Sequence, residues 1–143
     1  MAFHFHNADH PFRCPERRNI RSWIADFAAH HDRNIQEVSV IFCSDAYLLE
    51  INRTYLEHDY YTDIITFDYT ENDSLHADLF LSIDRIKENA KLHKVLFFNE
   101  LIRVIIHGHL HLVGYKDKTD KEVIIMREKE DYWVQHYFLN HRK

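Results

Sequence analysis

The chain has 143 residues, the size of one ordinary domain, and a composition of 45% hydrophobic and 29% charged residues, which excludes a disordered or collagen-like polymer. Its formal net charge of −5 opposes nucleic acid at long range, so any RNA contact must come from a local basic patch or from a metal. No apolar run approaches the roughly 20 residues of a membrane span, and the N-terminal MAFHFHNADHPF lacks the charged-then-apolar pattern of a signal peptide. A cytoplasmic protein without membrane association is expected.

In chain order, Phe3 to His6 alternate and predict an edge strand. Pro15 suits the first turn of a helix, and Ile20, Trp23, Ile24, Phe27 and Ala28 recur at helical spacing to about His31. Val38 to Phe42 reads as a strand, after which Ser44 caps a helix carrying Leu48, Leu49 and Ile51. Ile64 to Phe67 and Ala77 to Ile83 are β-branched or apolar enough for two further strands. A short helix is expected from Asp84 to His93 and a longer one from Asn99 to Val113. The sequence Thr119-x-x-Glu122 has the form of a capping box, opening a last helix to about Phe138. The order β-α-β-α-β-β-α-α-α predicts an α+β fold: a single domain over residues 1–143, with a mixed sheet of about four strands packed with about five helices. Cys14 and Cys43 are too few and too far apart for a disulfide framework or a CxxC site and are expected to be reduced.

The chain holds 13 histidines but only two glycines, Gly108 and Gly114, and both lie in the segment HGHLHLVGYKD. On a helix, Glu100, Arg103, His107 and His111 share one narrow polar stripe, while Leu101, Ile102, Ile105, Ile106, Leu110, Leu112 and Val113 cover a wide arc elsewhere. That makes the segment a central buried helix. Residues four apart on a helix are close enough for two imidazoles to meet on one ion. Gly114 can end the helix in a left-handed conformation and turn Asp117 back over the same face. Two nitrogens and one carboxylate oxygen leave a fourth zinc position open for water, which distinguishes a catalytic from a structural zinc. The plain alternative is that HxxxH in a histidine-rich chain is chance or packing; the clustered glycines and the carboxylate beyond the turn weigh against it. His109 faces away from the pair and is expected to be a packed or interfacial histidine.

The segment His107-Gly108-x-Leu110-His111-Leu112-x-Gly114-Tyr115 resembles the HGxLHLxGYDH signature of the YbeY family of bacterial metal-dependent endoribonucleases. Upstream, Ile51-Asn52-x-x-Tyr55, Asp59 and Thr62-Asp63-Ile64-Ile65-Thr66-Phe67 resemble that family's LNxxYR…D…TDVLSF block. Ala77-Asp78-Leu79 stands where the family has Gly-Asp-Ile, and Met126 and Glu130 resemble residues of its last helix. Two positions depart from it. The family's third histidine falls at Asp117, giving a two-histidine, one-aspartate set, and Leu56 stands where an arginine usually follows the tyrosine.

The resemblance implies one Zn2+ per chain, or another divalent metal, bound by His107, His111 and Asp117. It implies endonucleolytic cleavage of single-stranded RNA, with zinc-activated water attacking the phosphodiester. The expected setting is ribosomal RNA processing, notably maturation of the 16S 3′ end, and ribosome quality control, with the ribosome or its associated proteins as partners. Gly108 occupies the position of the glutamate base in HExxH proteases, so peptide hydrolysis is disfavoured. Asp63 is a candidate base, with turn chemistry before a strand as its competitor. Arg103 is a candidate substitute for the missing cation, against a simple ion pair with Glu100. Arg53, Lys87, Lys91, Lys94 and Arg103 are expected to form a basic rim. The rivals are a ribosome-associated binding module with a structural metal, closed by a fourth ligand such as His58 or His76, and a metallohydrolase of the same fold with another substrate. No exposed apolar stripe demands a dimer, and a monomer is expected.

Overall fold

The computed structural model describes residues 2–142. Four strands, β1 (Phe3–Asn7), β2 (Asn34–Cys43), β3 (Ile64–Asp68) and β4 (Ser74–Ser82), form one sheet in the order β1-β2-β4-β3. β1 and β4 run parallel to β2, and β3 pairs antiparallel with β4. The five helices are α1 (Arg17–His30), α2 (Asp45–Leu56), α3 (Ile83–His93), α4 (Phe97–Leu112) and α5 (Asp120–Asn140). The mixed α+β sheet and the element order agree with the expectation.

Period-two alternation along β4 decides what lies on each side. Leu75, Ala77, Leu79 and Leu81 are buried in the main core with Ile20, Trp23 and Phe27 of α1, Leu101 and Ile105 of α4 and Trp133 of α5. Phe80 faces the other way, into a small cluster of Cys43, Leu48 and Ile65 roofed by α2. Cys14 and Cys43 are buried free thiols, pushed up to about 12 by burial.

Local chemistry explains most boundaries. The Ser44 hydroxyl accepts from the Tyr47 amide, and Thr119 and Glu122 form the reciprocal capping box. Pro15 does not enter the first turn of α1: Glu16 precedes the helix at φ 55°, and its carboxylate accepts from the Tyr137 hydroxyl and from Arg142, both at 2.6 Å. A contact across more than 100 residues thus sets that boundary. No helix among the described residues is long and apolar enough to cross a membrane.

Candidate metal centre

α4 lies in the core between the sheet and α5, and Gly108 shows how it comes so close to the strands. A Cβ at this position would stand 2.8 Å from Ile64 Cδ1 and 3.3 Å from Leu79 Cδ1. The second glycine works through its backbone: Gly114 has φ +106°, ending the helix and reversing the chain. The turn does two things. It returns Asp117 toward the histidines, and it aims the Tyr115 carbonyl at His111, whose Nδ1–H it accepts at 2.9 Å.

His107 is held from the opposite side. Its Nδ1–H donates to Glu130 Oε2 at 2.6 Å, and Arg103 Nη1 donates to Glu130 Oε1 at 3.0 Å. Burial lowers the basicity of His107, but the Glu130 bond and the nearby Asp63 and Asp117 carboxylates outweigh it and leave the pKa raised. Burial likewise raises Glu130, and His107 and Arg103 more than offset this, holding it low.

With both Nδ1 atoms acting as donors, the neutral rings turn two Nε2 lone pairs toward each other, 3.0 Å apart. Asp117 Oδ2 stands 3.3 Å from each Nε2. Three acceptors so close repel unless a proton or a cation lies among them. The spacing also fits zinc: bonds of about 2.0–2.1 Å in a tetrahedron give ligand separations of about 3.3 Å. Among the described residues no fourth His, Cys, Asp or Glu joins the group; His58 packs on Tyr60 and His76 on Tyr69 instead.

A second cluster, Asp26, His136 and His141, meets the distance test but not the lone-pair test. Asn140 Nδ2 donates to the His136 carbonyl and to its Nδ1, both at 3.1 Å, so Nδ1 is the acceptor and Nε2 carries the proton. His136 Nε2 lies 3.6 Å from Asp26 Oδ2, and His141 Nε2 lies 2.8 Å from the same carboxylate oxygen. The cluster is a polar tie between Asp26 of α1 and the C-terminal end of α5.

The triad opens into a cleft of about 770 Å³. Asp63 lies on its wall, its carboxyl raised by burial despite the opposing field of His107, with Asn89 Nδ2 at 3.5 Å. Arg103 also lines it, but its guanidinium is bound to Glu130 and to Asp131 Oδ1 at 2.7 Å, not to Glu100, which faces His93 at 3.3 Å. The expected basic rim is largely elsewhere. Lys87, Lys91 and Lys94 do not line the cleft, and Arg53 is paired with Asp59; Lys118 and Arg127 are the cations that join Arg103 there. His109, on the far face of α4, is fully buried beside Phe3 and Phe27, with Nδ1 donating to the Ile105 carbonyl. Sequence reasoning missed Lys118 and Arg127 as cleft residues, and it singled out Glu130 through the family resemblance without giving it a role. Glu130 had a signal, a carboxylate one helical turn after core residue Met126, whereas the two cations had none.

Fold and site together define a class: α+β proteins that carry two helix-borne histidines and a carboxylate at the mouth of a cleft. The chain belongs to the endoribonuclease YbeY family, whose model matches residues 4–137. It is 50% identical to the endoribonuclease YbeY of Cytophaga hutchinsonii over 128 residues, covering 89% of this chain and 90% of that one. With the Flavobacterium psychrophilum protein of the same name it shares 46% over 125 residues, covering 87% and 89%. A Thermotoga maritima protein of known solution structure superimposes with a TM-score of 0.70 at 26% identity, covering 95% of this chain and 89% of that one.

Proposed function

We propose that the protein is a single-strand-specific, metal-dependent endoribonuclease of the cytoplasm that matures ribosomal RNA, notably the 16S 3′ end, with zinc held by His107, His111 and Asp117. One observation carries the reading: three lone-pair donors converge at the spacing of a tetrahedral ion, with both imidazoles locked from behind. Family membership supports the RNA substrate and the setting on the ribosome.

A divalent ion bound there supplies Lewis acidity toward a phosphoryl oxygen and a water of lowered pKa. The chain's own groups do the remaining work. Glu130 and the Tyr115 carbonyl fix the imidazole tautomers, as partners behind ligating histidines commonly do. Arg103 anchors Glu130 and is a positioning residue rather than a free phosphate ligand. Lys118 and Arg127 supply positive charge along the cleft. Asp63, raised by burial and hydrogen-bonded to Asn89, is placed to take a proton inside the cleft.

The test is cleavage of matched single-stranded and duplex RNA by the protein as purified, after chelation, and after adding back zinc. Cutting of the single strand alone, lost on chelation and restored by metal, is the expected result. Cutting that survives chelation removes the metal from the reaction; intact RNA with metal bound favours the binding-module alternative.

A further inference from the structure

The last turn of α2 and the segment that joins it to β3 expose three tyrosines, Tyr55 on the helix at 69% and Tyr60 and Tyr61 in the segment at 56% and 55%. The segment is nevertheless held firmly. The buried Asn52 side chain donates to the Tyr60 carbonyl at 2.9 Å, the His58 amide donates to the Asn52 carbonyl at 3.0 Å, and Arg53 pairs with Asp59. Tyr61 turns outward beneath the Arg85 guanidinium. His58 and Tyr60 instead line the cleft that holds the triad, with near-parallel rings whose centroids are 5.2 Å apart at 21° and a Tyr60 hydroxyl to His58 Nδ1 contact of 3.0 Å. Leu56 adds an apolar surface beside them.

From this arrangement we propose that the His58–Tyr60 pair is a base-stacking platform that selects unpaired RNA, seating one nucleobase beside the phosphate presented to the triad. The inference rests on the ribonuclease reading and deepens it. Two arguments lead to a base rather than a phosphate. Of the Lys and Arg side chains that line the cleft, Arg103 is bound to two carboxylates and Arg127 lies 3.7 Å from Glu130, which leaves Lys118 as the cation there with no ion pair among the described residues. Aromatic faces, by contrast, bind any unpaired base and reject a duplex, whose bases are already stacked. Because the pair is pinned, little ordering entropy opposes the contact.

Binding is measured apart from cleavage, on the zinc-loaded full chain, with 2′-O-methyl RNA decamers each lacking one base in turn. The wild type is compared with Tyr60→Ala and Tyr60→Phe. For intact decamer, Tyr60→Ala is expected to weaken binding about tenfold and Tyr60→Phe by less than about twofold. One abasic position should cost the wild type about tenfold and Tyr60→Ala almost nothing, which a merely structural tyrosine would not reproduce. The abasic series on wild type alone serves if the alanine variant misfolds. Equal binding by Tyr60→Ala and wild type, or a loss independent of which base is missing, overturns the proposal. Cleavage of unmodified RNA judges the ribonuclease reading separately.

Discussion

Replacing Glu130 with glutamine should weaken zinc binding without touching a ligand. The carboxylate, only 9% exposed, accepts from His107 through one oxygen and from Arg103 through the other. Glutamine retains one acceptor. If that oxygen stays with Arg103, the amide NH2 faces His107 Nδ1, which must then become the acceptor and shift its proton to Nε2, the atom that has to bind the metal. Loss of such a partner costs about 10- to 100-fold in metal affinity, or about 1.4–2.8 kcal/mol. The metal-free protein should also lose about 2 kcal/mol of folding stability, because one of two charge-assisted bonds in a nearly buried setting goes. Zinc affinity by competition with a chromophoric chelator near neutral pH, together with urea unfolding of the metal-free form, reads both effects. Affinity within about twofold of wild type would refute the claim that Glu130 sets the His107 tautomer.

Other predictions follow from single contacts. Gly108→Val should destabilise the protein by about 1–3 kcal/mol in urea unfolding, because even one added carbon meets Ile64 and Leu79; helix propensity alone predicts a gain. Gly114→Ala has free space around it and should lose about 1–2 kcal/mol through its positive φ alone, with weaker zinc binding because the turn carries Asp117 and Tyr115. Glu16→Gln should cost about 1–2 kcal/mol near neutral pH by weakening the bonds to Tyr137 and Arg142. Burial raises the Glu16 carboxyl, but those bonds outweigh it and hold it below the ordinary value of 4.5. A depressed carboxyl contributes stability above 4.5 that is lost as pH falls through its folded value, so the gap between wild type and variant should close there. A gap unchanged down to strongly acidic pH would contradict the assignment.

The local signals were legible because they are chemical. Ser44, Thr119 and Glu122 name their own caps, and the alternation through β4 and the apolar arc of α4 declare which faces are buried. The co-location of His107, His111 and Asp117 could be read because one helix and one glycine turn connect them. What the sequence hid is long-range. The start of α1 depends on Tyr137 and Arg142, and the ion pairs of Arg103 depend on α5 docking against α4. Lys87 and Lys91 on α3 and Lys94 just beyond it carry no sign of which way that helix faces, and the cations that line the cleft are Arg103, Lys118 and Arg127. The aromatic wall was invisible for the same reason, since Tyr55, Tyr60 and Tyr61 look alike until the fold sends only Tyr60 into the cleft.

The most direct test of the central claim is metal content by elemental analysis, paired with cleavage of single-stranded RNA, for wild type, His111→Ala and Asp117→Ala. The account predicts about one zinc per wild-type chain with cutting, and joint loss of metal and cutting in both variants. Full zinc retention in Asp117→Ala, or intact RNA with zinc fully bound to the wild type, would contradict it.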